Sequence, residues 1–302
     1  MPLEVSPDLW GVVAIGLAVG YLAGMFGVGG GFIANPLLNC ALNVPMRIVA
    51  GSTLCQVSGT SLAGLLRHRR HGQLDARIAA IVIGGVLCGE VAGVGLLEWL
   101  EGLGTVTLAG GSFKASEVVL KAALLLMLLV IGVFVFLEAR AAELSVRRGA
   151  SGHPRGWLAR VKLPPYVVPA GGEPVPVLLL AYLGVPIGLA QGLLGIGGGV
   201  LLLPALVYVV GVATHAAVGT DLAIVFVGAI AGTFIQALEG NVSLPLVAAL
   251  MVPATFGSQL GALTTTRLPA HRLRRYFSLV VAAAALLVAW KLAGMLGLLP
   301  GR

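Results

Sequence analysis

The chain has 302 residues, of which 58% are hydrophobic and 10% are charged, and its formal net charge is +7. Soluble domains carry about 25% charged residues, so this composition argues against a soluble enzyme, a disordered chain and a nucleic-acid binder. The 44 glycines are roughly twice the usual share and favour close helix contacts, so we expect an all-α polytopic membrane protein.

Each half of the chain predicts five helical segments. In the first half they are expected at residues 9–27, 31–43, 49–66, 77–98 and 116–137. In the second half they are expected at residues 176–194, 199–210, 216–236, 245–265 and 274–297. A helix needs about 20 residues to cross a bilayer, so the second segment of each half is too short to cross alone. Each short segment follows a glycine-rich break, and we interpret it as the short arm of a discontinuous helix or re-entrant hairpin.

An internal repeat relates the two halves. The stretch Gly27-Val28-Gly29-Gly30-Gly31 recurs 168 residues later as Gly195-Ile196-Gly197-Gly198-Gly199. The same offset relates further glycines, and it relates Pro36 to Pro204. Because five segments is an odd number, the second copy must enter the membrane from the opposite side. The repeat therefore predicts an inverted topology, which is the architecture of many secondary transporters.

Basic residues predict the orientation of the chain. Lysines and arginines cluster in loops near residues 67–77, 139–175 and 267–275. The positive-inside rule places these loops in the cytoplasm and hence both termini on the outer side of the membrane. The chain then divides into an N-terminal membrane repeat, a basic proline-rich linker and a C-terminal membrane repeat, with boundaries at 1–138, 139–175 and 176–302. The first ten residues lack lysine and arginine, so we expect no cleaved signal peptide.

The two glycine-rich breaks are the first candidate site. Successive glycines can turn backbone N–H groups toward one point, and the helix that starts there adds the positive end of a dipole. The breaks therefore predict a binding site for a small anionic substrate. The alternative is that the glycines only permit tight helix crossing. A nucleotide-binding loop fits poorly, since no Gly-Lys-Ser/Thr sequence exists. The candidate residues are Gly27, Gly29, Gly30, Gly31, Gly195, Gly197, Gly198 and Gly199.

Polar stripes follow the first break. Asn35, Asn39 and Asn43 share one helical face, and Ser52, Gln56 and Thr60 share another, with Thr53 beside them. Such a stripe in a membrane helix predicts an interior face or a water path, although hydrogen bonding between helices is the alternative. The second half has fewer such groups, chiefly Thr220 and Asp221. We take Asn35, Ser52, Thr53, Gln56 and Thr220 as candidate substrate contacts.

Charged residues in or beside the spans are candidates for coupling or gating. A carboxylate at the centre of a bilayer costs a few kcal/mol, so Glu90 and Asp221 are candidate proton carriers or cation ligands, the alternative being structural acids. Arg47 and His215 are related by the repeat offset, and each precedes the third segment of its half. They could attract an anion at the two mouths, or be ordinary interfacial cations. The three cysteines have no zinc-site spacing, so we expect neither a metal nor a cofactor.

Together these motifs resemble the TauE/SafE family of sulfite exporters and related anion permeases. The resemblance is carried by the duplicated Gly-x-Gly-Gly-Gly stretch, by a proline five residues later, and by Ala50-Gly51-Ser52-Thr53-Leu54 and Val218-Gly219-Thr220-Asp221-Leu222. It implies transport of a small sulfur-containing anion or organic acid across a bacterial inner membrane. It favours export of sulfite or a related sulfonate by a non-enzymatic secondary transporter.

Three alternatives remain open at this point. The first is proton-coupled uptake of a sulfur-containing or organic anion. The second is an intramembrane thiol enzyme built on Cys55, and the third is a membrane subunit that does not transport. The expected partners are a small anion and the lipid bilayer, with a homo-oligomer as a further possibility and no nucleic acid.

Overall fold

The structure is a computed structural model that describes residues 9–26, 29–70, 74–108, 111–148, 158, 161, 163–169, 173–265 and 270–296. It is almost wholly helical, as predicted, and eight of the described helices are long and apolar enough to cross a membrane. The first half contains α1 (Leu9–Phe26), α2 (Gly31–Pro36), a π-helix (Leu37–Ala41), α3 (Met46–Arg70), α4 (Ala76–Glu101) and α5 (Ala115–Arg148). The second half contains α6 (Val177–Leu194), α7 (Gly199–Pro204), a π-helix (Ala205–Val210), α8 (Thr214–Leu238), α9 (Leu244–Thr265) and α10 (Ala270–Met295).

The short arms of the two halves have the same construction. α2 and α7 each have 6 residues and each ends at a proline, Pro36 or Pro204. Proline has no N–H to donate and its ring crowds the preceding turn, so a regular helix is disturbed at that point. In both halves the chain changes to a π-helix at the next residue. The local geometry therefore follows the repeated Gly-to-Pro spacing in the sequence.

Two pairs of long helices cross at very short distances. α1 packs against α9, and α4 packs against α6. A Cβ built on Gly20 would lie 2.1 Å from the carbonyl oxygen of Ala254, and one built on Gly188 would lie 2.0 Å from that of Val86. No larger side chain fits at these positions, so the glycines allow the backbones to touch. The two pairs correspond under the repeat, since α1 is equivalent to α6 and α4 to α9.

Helix directions follow from the order of these contacts. Gly16, Gly20 and Gly24 meet progressively later residues of α9, so α1 and α9 run parallel, and α4 and α6 do likewise. α3 and α8 run antiparallel, because Gly64 faces Leu222 whereas Gly51 lies beside Gln236. Short connections make α3 and α4, and α8 and α9, antiparallel. It follows that α1 and α6 point in opposite directions, which is consistent with an inverted repeat.

Several local features differ from the sequence expectations. α5 continues to Arg148, into the stretch predicted as linker, because alanine, glutamate and arginine there favour helix. An antiparallel hairpin of β1 (Thr105–Leu108) and β2 (Gly111–Lys114) joins α4 to α5. Another antiparallel pair, β3 (Tyr166–Val167) and β4 (Val175–Pro176), precedes α6. Such short strands were not predicted, since they carry too few residues for a periodic pattern.

Candidate functional site

The two glycine-rich breaks lie against each other. A Cβ built on Gly31 would lie 2.7 Å from the carbonyl oxygen of Ile196, and one built on Gly29 would lie 4.0 Å from that of Gly197. Val57 of α3 contacts both breaks, at 3.6 Å from the Gly29 Cβ position and 2.5 Å from that of Gly197. The described glycines of the breaks are all buried: Gly29, Gly30, Gly31, Gly195, Gly197, Gly198 and Gly199. Gly27 lies outside the described residues.

Two side chains of the first half bind carbonyl groups at the second break. The Asn35 Nδ2 group donates a hydrogen bond to the Leu194 carbonyl oxygen. The Thr53 hydroxyl lies 3.0 Å from the Gly195 carbonyl oxygen and 2.6 Å from that of Val49, one turn earlier in α3. These contacts occupy acceptors at the second break. The N–H groups of Gly197 and Gly198 donate to no described group.

Ser52 and Thr220 have matching roles at the start of two helices. The Ser52 hydroxyl accepts a 3.1 Å hydrogen bond from the Ser243 N–H, directly before α9. The Thr220 hydroxyl accepts a 3.0 Å hydrogen bond from the Asp75 N–H, directly before α4. Both pairs obey the repeat offset, so each half caps a helix of the other. This arrangement favours the structural interpretation of these two candidates.

Several polar atoms within the helices are buried without a hydrogen-bond partner. Most buried polar groups in folded proteins are paired, so each exception calls for an explanation. Both side-chain polar atoms of Gln56 and both carboxyl oxygens of Glu90 lack a partner among the described residues. The same is true of Asn35 Oδ1, Gln191 Nε2 and Asp221 Oδ1.

Gln191 places its side-chain amide between the second break and α8. It belongs to the last turn of α6 and is 1% exposed. Its Oε1 atom would lie 2.7 Å from a Cβ on Gly198, and its Nε2 atom would lie 3.0 Å from a Cβ on Gly228 of α8. Gly198 has a φ of 53°, in the left-handed region that favours glycine. The amide therefore fits only because both neighbours lack a side chain.

Glu90 of α4 contacts α8 one helical turn beyond the contact of Gln191. Its Oε1 atom would lie 2.1 Å from a Cβ on Gly232, and Leu54 of α3 lies beside the same glycine. Another turn on, Gln236 Nε2 donates a 2.9 Å hydrogen bond to the Gly192 carbonyl oxygen. Gln191, Glu90 and Gln236 therefore follow one face of α8, starting from the second break. We call these three residues the polar row.

Asn39 takes part in a different cluster. Its Nδ2 group donates hydrogen bonds to the Val44 carbonyl oxygen at 2.8 Å and to Glu117 Oε2 at 3.3 Å. Glu117 also accepts a 2.8 Å hydrogen bond from the Met46 N–H and pairs with Lys121, which is buried. The asparagine stripe is therefore divided, with Asn35 at the breaks and Asn39 at the corner before α3.

No contact with the breaks is described for the charged candidates Arg47 and Asp221. Arg47 is half-buried in the first turn of α3. The side chain of His215 lies outside the described part of the chain. Asp221 of α8 is 1% exposed, and under the repeat it is equivalent to Thr53, which binds the second break.

Sequence reasoning did not identify four residues that the structure makes prominent. Gln191 and Gln236 are the missing members of the polar row, and Glu117 and Lys121 form a partly buried ion pair. Each is a polar residue in an apolar segment, which was a usable signal. The spacing of the segments did not show that Gln191 of α6 and Glu90 of α4 would contact the same face of α8.

The space beside the second break is closed. A gap lined by Gln191, Ile196, Gly198 and Met127 leaves no room for a water molecule. In the described part of the chain, no group of three or more histidine, cysteine, aspartate or glutamate residues is placed to hold a metal ion. The geometry thus places unpaired amide and carboxyl groups near a closed gap beside the second break.

Comparisons with known proteins cover nearly the whole chain. Residues 12–288 match the family described as "Sulfite exporter TauE/SafE". A "Probable membrane transporter protein" of Xylella fastidiosa strain Temecula1 is 28% identical, over 93% of this chain and 95% of that protein. The "Probable membrane transporter protein YdhB" of Bacillus subtilis is 23% identical, over 92% of this chain and 98% of its own length. No solved structure gives a significant match.

Proposed function

Because the chain belongs to the sulfite exporter TauE/SafE family and is a multi-pass membrane transporter, we propose that it exports small sulfur oxyanions. Sulfite and related organosulfonates are the proposed substrates. The proposed setting is a bacterial inner membrane with both termini on the periplasmic side, as the basic loops indicate. The proposed mechanism is secondary transport, with no enzymatic step.

The observation that carries this proposal is the contact between the two breaks. The N–H groups of Gly197 and Gly198 donate to no described group, whereas nearby carbonyl oxygens accept from Asn35 and Thr53. Consecutive backbone N–H groups of this kind favour an anion. Irregular backbone at membrane depth is tolerated where it is buried in protein or lines a cavity, and these glycines are buried. The breaks therefore provide donors without requiring a buried cation.

The membrane potential provides the driving force for export. It contributes about 2.3 kcal/mol per elementary charge per 100 mV. With the inside negative, a monoanion that leaves the cell gains this free energy, and a dianion gains about twice as much. Export therefore needs no coupled ion, and the acids in the spans need not carry protons for it.

Flux through proteoliposomes tests the proposal directly. The purified chain would be reconstituted and offered sulfite, thiosulfate or a small sulfonate under an imposed voltage without a pH gradient. We expect saturable flux toward the positive side, above that of protein-free liposomes. No flux of any of the three anions under voltage would contradict the proposed function.

Proton-coupled uptake is the second candidate, and Glu90 favours it. Both carboxyl oxygens of Glu90 lack a described partner, and Glu90 contacts α8 one turn beyond the contact of Gln191. A buried acid beside a substrate site could carry a proton inward with the anion. Glu90→Gln should then abolish accumulation driven by a pH gradient, while the exposed Glu98→Gln on the same helix should not. If export is correct, Glu90→Gln keeps voltage-driven flux.

A further inference from the structure

A groove runs between α5 and α10, on the outside of the helix bundle. Its volume is about 800 Å³, and its walls are apolar along most of their length. Leu128 and Ala285 line one end, and Arg140 and Arg275 line the other. Binding pockets for small molecules have volumes of about 300–1,000 Å³, so the groove is large enough for a ligand. It is separate from the glycine-rich breaks.

The charged end of the groove is organised. The Arg140 guanidinium lies 4.7 Å from the centre of the Phe136 ring, which itself lines the groove. This cation–π contact holds the positive charge above the apolar wall. Arg275 adds a second positive charge on the facing helix, and neither arginine forms an ion pair with a described side chain. The charge pattern fits an amphipathic anion with its head at the arginines.

The length of the groove matches one leaflet of a bilayer. Leu128 and Arg140 are twelve residues apart on α5, which corresponds to about 18 Å at 1.5 Å per residue. Half of the hydrocarbon core of a bilayer is about 15 Å thick. A ligand that fills the groove therefore reaches from the middle of the membrane to the headgroup region.

We propose that this groove binds one anionic phospholipid, with an acyl chain between α5 and α10 and the phosphate at Arg140 and Arg275. Basic pockets between membrane helices recognise lipid headgroups in this way. Both arginines adjoin the basic stretches that the positive-inside rule places in the cytoplasm, so the lipid belongs to the cytoplasmic leaflet. The site is independent of the transported substrate.

Native mass spectrometry of the purified full chain tests the proposal. The probes are phosphatidylglycerol and phosphatidylcholine with identical acyl chains. We expect the wild type to retain phosphatidylglycerol preferentially, and Arg140→Gln and Arg275→Gln each to weaken that binding roughly fivefold. The control is Arg77→Gln, which removes an exposed arginine at the start of α4 and should change little. Equal retention of the two lipids by the wild type would overturn the proposal.

A second variant tests the apolar part without changing the charge. A Cβ on Gly132 would make an ordinary 3.5 Å contact with Val281, and Gly132 lines the groove, so we expect the ring of Gly132→Phe to project into it. It should displace the lipid, whereas Gly95→Phe, at an exposed position of α4 with open space around it, should not. Unchanged retention in Gly132→Phe would overturn the assignment of the acyl chain. A dimer that excludes lipid from the wild type would also overturn it.

Discussion

Gln191 is the residue whose role the geometry defines most sharply. Its Oε1 atom faces the left-handed Gly198, its Nε2 atom is buried without a described partner beside Gly228, and its equivalent in the first half is Ala23. The two breaks therefore differ in the donors that they can offer. An anion that enters beside the second break would find the unpaired Gln191 Nε2, whereas the first half has an alanine at the equivalent position, so we expect binding to be asymmetric.

Replacing Gln191 by leucine tests this asymmetry. A hydrogen bond to a charged ligand contributes about 1.5–3 kcal/mol, so Gln191→Leu should raise the KM for sulfite about tenfold or more. The control is Gln259→Leu, which makes the same change at an exposed position of α9. Initial rates in proteoliposomes separate KM from kcat, and thermal unfolding checks the fold. Loss of kcat at constant KM would argue against a substrate contact.

The ion pair of Glu117 and Lys121 illustrates how burial changes the effect of a charge. Lys121→Met should destabilise the fold by up to about 3–5 kcal/mol, because it leaves the partly buried Glu117 carboxylate without its cation. Adding Glu117→Gln should recover part of that loss, since the amide oxygen can still accept from Met46. Lys114→Met breaks the exposed pair with Glu101 and should cost at most about 1 kcal/mol. Thermal unfolding in detergent ranks the variants, and equal losses would contradict the prediction.

At the scale of elements, the glycine-mediated crossings hold the two halves together. α4 against α6 and α1 against α9 are contacts between halves, not within one. The hydrogen bonds from Ser243 to Ser52 and from Asp75 to Thr220 also join the halves. Each half therefore supplies surfaces that only the other half can cover.

Two adjacent glycines of α4 provide a matched test of this packing. A Cβ on Gly85 would lie 1.9 Å from the Ala181 carbonyl oxygen, whereas a Cβ on Gly84 would meet nothing within 4 Å. Gly85→Ala should therefore destabilise the protein by about 1–3 kcal/mol. Gly84→Ala should be neutral or stabilise it by up to about 1 kcal/mol, because alanine favours helix. Melting temperatures in the same detergent decide the matter, and similar values for both variants would contradict the observed crossing.

At the scale of the whole molecule, the helix directions are consistent with an inverted repeat, and its orientation in the membrane follows from charge. The distribution of basic residues predicts that both termini are periplasmic and that residues 139–175 are cytoplasmic. This prediction also determines which leaflet supplies the lipid of the α5–α10 groove.

Single-cysteine labelling can establish the orientation. In a background without Cys40, Cys55 and Cys88, cysteines would be introduced at Ser6, Ser151 and Gly301, one at a time. A membrane-impermeant reagent added to intact cells should label the first and last positions, and the middle position only after lysis. Labelling of Ser151→Cys in intact cells would reverse the orientation.

The partners of the polar residues in α3 could not be predicted from the sequence. Spacing along α3 correctly placed Ser52 and Gln56 on one buried stripe. It did not distinguish them, although the Ser52 hydroxyl binds the Ser243 N–H while the Gln56 amide has no described partner. The difference depends on which residue of the other half comes opposite, and helical periodicity within one segment carries no such information.

The sequence by itself determined the family, the all-α membrane architecture, the two related halves and the interrupted short arms. These properties depend on local chemistry, namely apolar length, glycine spacing and the proline that ends each short arm. Only the tertiary structure decided that the two breaks meet beside α3. It also decided that Gln191, Glu90 and Gln236 follow one face of α8. Asn39 belongs to a separate cluster with Glu117. These properties arise because helices distant in sequence approach closely where glycines remove the side chains between them. The positions of the buried polar groups are therefore set by the crossings and not by any single segment.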